Sequence, residues 1–216
     1  MQGLKAKPIF EFVGGALCLD FANTVDDRLS EERVKDLVPG FPALVCWARQ
    51  AGVIPVDAGK RLGRRASRRP AEAARELERA HRLREAIFRI FSRHAAGQAP
   101  ARADLATLNT ELSLAFQHLR VERWRQDFGW RWDSSAGEFD PILWPVVRSA
   151  AELLTSSHLA RVRTCGARDC GWLFLDTSRN HSRRWCKMQS CGNRDKVRRH
   201  YLKVREKRPQ HGHPTK

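Results

Sequence analysis

Four cysteines constrain this chain more than any other feature. Four residues separate Cys165 from Cys170, fifteen residues follow, and four again separate Cys186 from Cys191. Two short pairs of this kind bring four sulfurs together without a large core, and four thiolates are a strong tetrahedral set for zinc. The first twelve residues hold two lysines and no long apolar stretch, so no secretory signal is expected and the expected location is cytoplasmic. In a reducing compartment, paired cysteines serve as metal ligands more often than as disulfides. One structural Zn2+ is therefore expected on Cys165, Cys170, Cys186 and Cys191, with no open position for a catalytic water. His181 and His200 are left out of the ligand set. Cys18 and Cys46 stand singly among apolar residues and read as small buried side chains.

At 216 residues the chain can bury one sizeable core and append a small module. No run of apolar residues is long enough for a membrane span. The net charge of +16 is unevenly placed: 16 of the 40 basic residues but only 4 of the 24 acidic ones lie from Ser156 onward. A local basic block points to a polyanion, with DNA the expected partner and RNA the second choice.

The hydrophobic pattern predicts a mainly α fold with a small β-hairpin or sheet and a C-terminal treble-clef-like zinc finger. Ile9 to Val13 reads as a short strand, and Leu17 to Val25 begins a helix. Phe41 to Ala51 reads as a second helix. Lys60 to Arg69 holds six basic residues in ten. Ala71 to Ala96 is the clearest helix, because Leu77, Ala80, Leu83, Ile87, Ile90 and Phe91 recur at three- and four-residue steps. Another helix carries Leu105, Leu108, Leu112, Ala115 and Phe116. Period-two alternation on both sides of Gln126-Asp127 predicts a hairpin over Leu119 to Trp132. A helix starts at Asp140-Pro141, with a kink expected at Pro145, and ends at Ser156 to His158. The expected domains are 1–157, a finger over 158–208, and a flexible basic tail over 209–216. The first 155 residues carry apolar stripes of their own and are expected to fold alone.

Within the finger, the segment between the two cysteine pairs can be a hairpin, and a helix follows Cys191. At about 100 degrees per residue, Val197, Tyr201 and Val204 share one face of that helix. They are expected to pack on Trp172 and Phe174. Lys196, Arg199 and Lys203 form one basic flank, and Arg194, Arg198 and Arg205 the other. Arg183 and Arg184 add charge before the third cysteine. These eight residues are the nucleic-acid-binding candidates, because cations contact phosphates and arginine also reads guanine edges. Arg194 is expected on a phosphate, Arg198 on a base, and Asn193 in a structural role at the helix start.

The run Cys191-Gly192-Asn193-Arg194 resembles the motif that names the CGNR zinc finger. Cys165 to Phe174, Asp176 to Asn180 and Arg183 to Cys186 match the pattern that precedes it. Gly15 to Arg28 resembles the start of the ABATE domain, which usually precedes this finger. Together the two resemblances cover nearly the whole chain. They imply a bacterial stress-induced transcription regulator, with DNA binding assigned to the finger.

The N-terminal part offers one polar constellation on an apolar segment: Asp20, Asn23, Thr24, Asp26 and Arg28. It could line a pocket for a small-molecule effector, or it could serve helix capping and ordinary ion pairs. No serine-histidine-aspartate order, phosphate-binding glycine loop or second metal motif is present, so no catalytic residue is assigned. The leading reading is a ligand- or stress-sensing domain that controls the finger. The alternative is an enzyme using Asp20 or Asp26 as acid or base, or an RNA-binding protein, with the finger as an accessory anchor. The sequence leaves the oligomeric state open, a homodimer included.

Overall fold

The computed structural model describes residues 9–133 and 140–206; the basic tail expected over 209–216 lies outside the described residues. Most of the chain is helical: α1 (Leu17–Ala22), α2 (Phe41–Gln50), α3 (Val56–Arg68), α4 (Pro70–Ala95), α5 (Arg102–Phe116), α6 (Leu143–Leu154) and α7 (Asn193–Glu206). The strands are short and form three antiparallel pairs: β1 (Val25–Asp26) with β2 (Lys35–Asp36), β3 (Leu119–Trp124) with β4 (Asp127–Trp132), and β5 (Val162–Thr164) with β6 (Leu173–Leu175).

Helix α4 is the spine. Proline occupies its first position, where a missing N–H costs nothing, and Arg93 and His94 lie in its last turn against the helix dipole. Its apolar stripe of Ala80, Leu83, Ile87, Ile90 and Phe91 is fully buried. The charged residues between those positions are ties to other elements. Arg84 grips Asp36 with two hydrogen bonds of 2.8 Å, and Glu85 accepts two from Arg28 at 2.7 and 3.0 Å. Arg79 binds Glu111 and Arg89 binds Asp104, which fastens α5. These partnerships hold the Asp36 and Glu85 carboxyls below their ordinary values: burial opposes the shift, and the arginines outweigh it.

The hairpin over Leu119 to Trp132 forms as the alternation predicts, with Arg125 in a left-handed turn conformation at φ 56°. Two expectations change. Ile9 to Val13 forms no strand and pairs in no sheet among the described residues, and Phe10 alone of its apolar residues is buried. Pro145 does not kink a helix, because α6 starts at Leu143 and Pro145 falls in the first turn, where no backbone hydrogen bond is lost.

The core does not stop at Ser156. Val162 and Leu173 are fully buried in the same cluster as Leu19, Leu83, Ile87 and Val147. Strand β6 works on both faces with the period of two that a strand imposes. Leu173 and Leu175 pack on the helical core, while Trp172 just before the strand and Phe174 within it pack among the four cysteines. Asn23, at the end of α1, fastens this seam. Its side-chain amide donates to the Leu173 carbonyl at 2.8 Å and its oxygen accepts from the Leu173 N–H at 2.8 Å, all within buried surroundings. The Trp172 indole donates to the Val25 carbonyl at 2.9 Å, and the Leu175 N–H to the Gly14 carbonyl at 2.8 Å. The expectation that the first 155 residues fold alone therefore meets a core that continues past them.

The seam makes Asn23 a stability determinant. Asn23→Ala strands both peptide groups of Leu173 in a dry interior, at a cost of roughly 2–6 kcal/mol for the pair. Urea titration of the full chain should show that loss, and a loss below about 1 kcal/mol would mean that the clamp holds nothing.

Candidate metal centre and nucleic-acid interface

The four cysteines are carried by two unlike turns. Cys165 and Cys170 bracket the loop joining β5 to β6, so the hairpin encloses the first pair. The expected placement of a hairpin between the two pairs is thereby corrected: the segment between Cys170 and Cys186 contributes only β6 and a long loop. The first turn closes through Cys165, whose N–H donates to the Trp172 carbonyl at 2.7 Å. Gly171 permits it by adopting φ +71°, a conformation that other residues rarely take; a side chain there would also press on Arg28 and Leu29. Cys186 lies just before a single wide helical turn, Met188–Gly192, which contains Cys191 and leads directly into α7.

All four side chains are buried, and their sulfurs lie within 4.8 Å of one another. Cys170 and Cys186 are 3.7 Å apart, and Cys186 and Cys191 3.6 Å. Ligands at the zinc–sulfur bond length on the corners of a tetrahedron stand about 3.8 Å apart, so the set fits one zinc ion. The thiols alone are in conflict. Hydrogen bonds from their neighbours pull Cys165 down to about 7 and Cys191 lower still, and push Cys170 and Cys186 up. A divalent cation removes that conflict by holding all four as thiolates.

The surrounding groups orient this ligand set. The Cys186 N–H donates to the Cys165 sulfur at 3.3 Å, and Arg194 donates to the Cys191 sulfur at 3.3 Å. Arg194 also stands 3.7 Å from Asp27. Its guanidinium is thus engaged at the metal site, whereas the sequence pointed it at a phosphate. Asn193 plays a structural part by donating to the Gln189 carbonyl at 3.1 Å, across the wide turn. Asp176, fully buried, accepts from the Ser178 hydroxyl, the Ser178 N–H and the Arg183 N–H, which shapes the loop before Cys186. Burial raises its pKa, but those bonds hold the carboxyl below its ordinary value.

The nucleic-acid candidates divide sharply. Arg183 points inward: it stacks over Phe174 at 4.3 Å, donates to the Trp185 carbonyl at 3.0 Å, and donates also to the Cys186 carbonyl. This guanidinium fastens its own loop. Arg184, Lys196, Arg198 and Arg199 are exposed. Asp195 pairs with Arg198 at 3.8 Å and Arg199 at 3.0 Å, and Trp185 lies within 6.0 Å of both Arg184 and Arg199. The loop and the helix therefore form one continuous basic surface. The side chains of Lys203 and Arg205 lie outside the described residues.

The apolar stripe of α7 is a correction. Val197, Tyr201 and Val204 are 70, 68 and 50% exposed and do not pack on Trp172 or Phe174. Those two rings are already covered, Phe174 by Arg183 and Trp172 by the β1 segment. The exposed stripe joins Gln189, Ser190, Asn193, Arg194 and Arg198 around an open groove of about 590 Å³. Arg33 and Arg168 border a second hollow with Arg198 and were not among the candidates. Both are far from α7 in sequence, and only the fold reveals them.

The polar constellation near α1 works mainly as fastening. Asp20 accepts from the Gly14 N–H at 2.7 Å, Asn23 clamps Leu173, and Thr24 donates to the Phe21 carbonyl at 2.8 Å. Arg28 holds Glu85 and the Ala22 carbonyl and lies 4.0 Å over the Phe88 ring. Asp26 lines a hollow beside Cys170, Trp172 and Cys191.

Metal content tests the site directly. Protein purified without added metal should carry close to one zinc per chain, and Cys186→Ser should lose it. Because Leu173 belongs to the helical core, metal loss should lower the melting temperature of the whole chain. Unchanged zinc in a chain with Ser at Cys165 and Cys186 together would refute the ligand set.

No curated protein matches the chain. Two family models do. The CGNR zinc finger model matches residues 161–203, which contain the whole cysteine cluster and the first eleven residues of α7. The ABATE model, described as "Putative stress-induced transcription regulator", matches residues 15–157, close to two thirds of the chain. The helical body, the buried tetrahedral cysteine set and these two matches agree: this chain belongs to the ABATE family and ends in a CGNR zinc finger.

Proposed function

We propose that this chain is a DNA-binding transcription regulator that is active only with zinc bound. Residues 158–208 form the DNA-contacting part and residues 1–157 receive a ligand or stress signal. The observation that carries this reading is the state of α7. It leaves a buried metal site, and its outer side offers exposed cations beside an apolar stripe that no other described residue covers. Such a helix suits a major groove: Arg198 can reach a guanine edge, Gln189 an adenine edge, and Val197 a thymine methyl. Asp195 holds Arg198 and Arg199 in place before any partner arrives. Cytoplasmic placement accords with this role, and no helix among the described residues is long and apolar enough to cross a membrane.

A non-enzymatic role fits the N-terminal site candidates, since Asn23, Thr24 and Arg28 are engaged in internal contacts. Asp20 is pushed up to about 6, chiefly by burial, with hydrogen bonds from Gly14 and Val13 opposing. That shift has a structural cause and needs no substrate.

Salt dependence tests the interface. If Arg184, Lys196 and Arg199 each neutralise a phosphate, log affinity for duplex DNA falls with log salt at a slope of about −2.7 or steeper. Arg199→Ala should flatten the slope by about 0.9 and weaken all sequences alike. Arg198→Ala should cost roughly 1–3 kcal/mol at one preferred sequence and less elsewhere. Arg183→Ala should reduce stability and leave the slope unchanged in the fraction that folds. Binding that ignores salt would overturn the reading, and tighter binding to duplex RNA would replace DNA as the partner.

A further inference from the structure

A second strongly charged feature lies away from the finger. Helix α3 is amphipathic in an unusual way. Its inner side, with Gly59 and Leu62, is buried, and Ala58 and Ala66 also lie against the core. Arginine recurs at three- and four-residue steps, with Arg61, Arg64 and Arg68 exposed and Arg65 half-buried between them. Arg69 follows at the junction with α4. Among the described residues, these five arginines border one hollow of about 310 Å³. Arg69 reaches Glu72 at 3.4 Å, and Lys60 reaches Asp57 at 3.8 Å. Arg61, Arg64 and Arg68 have no carboxylate within ion-pairing distance among the described residues.

We propose that this hollow is a binding site for a compact oligophosphate. Arg61, Arg64 and Arg68 bring uncompensated like charges to one small space, and a multivalent anion relieves their repulsion. All five lining residues are arginine, whose planar fork matches phosphate oxygens in pairs. The four on α3 run from Arg61 to Arg68, seven residue steps or about 10 Å of helix axis, which suits a few linked phosphates. Among the described residues the lining offers no amide, aromatic or apolar side chain that would read a base or hold a nucleoside ring. A duplex presents a convex wall of phosphates that would touch the rim arginines without filling the hollow. An anionic bilayer is disfavoured because the apolar side of α3 is buried against the protein and cannot enter lipid. The ligand-sensing part of the chain thereby acquires a candidate ligand class that none of Asp20, Asn23, Thr24, Asp26 or Arg28 supplied.

The test uses the zinc-loaded full chain with inorganic tripolyphosphate. At a hundredfold excess over its Kd, tripolyphosphate should raise the melting temperature by roughly 5–10 °C. Arg64→Gln with Arg68→Gln removes two exposed side chains, so circular dichroism should be unchanged while tripolyphosphate affinity falls at least about tenfold, the measure of two lost charge-assisted contacts. Arg198→Gln with Arg199→Gln, on α7, should leave the shift intact. Three results would overturn the site: no stabilisation, a shift that survives in the Arg64/Arg68 variant, or a shift abolished by the α7 variant. If the Arg64/Arg68 variant lost affinity for duplex DNA but kept it for tripolyphosphate, α3 would be a DNA-backbone anchor instead. Duplex binding through α7 is measured separately by its salt slope, so either assignment can fail without the other.

Discussion

One asparagine side chain fastens the two parts of this protein to each other. Asn23 presents a donor and an acceptor to the two peptide groups of Leu173 and so acts as a strand where no strand is present. An amide is the neutral side chain that can do both at once. Because both bonds are buried, neither has water as an alternative partner, and the register of β6 against α1 has little freedom. That register decides which residues of β6 face the helices and which face the cysteines. Shifted by one, Leu173 would enter the metal site and Phe174 the helical core.

The metal site and the helical body consequently share their support. Gly14, Val25 and Arg28, all from the first thirty residues, make backbone or side-chain contacts to the finger. Val13 and Leu37 pack against the cysteine cluster. Arg194 completes the arrangement from the other side by bonding to a ligand sulfur while pairing with Asp27. A residue that sequence motif reading assigns to the finger thus holds the N-terminal segment against it.

What was legible in the sequence was local. Metal coordination imposes its own spacing, so Cys165, Cys170, Cys186 and Cys191 could be read without a fold. The stripe of α4 and the alternation of β3 and β4 are likewise short-range patterns set by backbone period. The rest depends on partners far along the chain. Asn23 stands 150 residues from Leu173, and a polar residue on an apolar helix looks the same whether it lines a pocket or clamps a strand. Arg183 and Arg184 are adjacent and chemically identical, yet one caps carbonyls over Phe174 and the other faces solvent. Charge density in a sequence counts cations but cannot say which of them are occupied. The stripe of α7 misled for the same reason: periodicity shows that Val197 and Tyr201 share a face, not that anything covers it.

The asparagine clamp has a consequence for how such a finger travels between proteins. Many small metal modules behave as cassettes, joined by linkers and exchangeable by recombination. This one is not self-contained, since half of β6 is finished by someone else's side chains. A graft cut at the family boundary would carry its four cysteines and its basic helix but leave Leu173, Leu175 and the Trp172 indole facing water. A working graft would therefore have to include the finger together with the N-terminal segment that packs against it, two stretches far apart in the sequence.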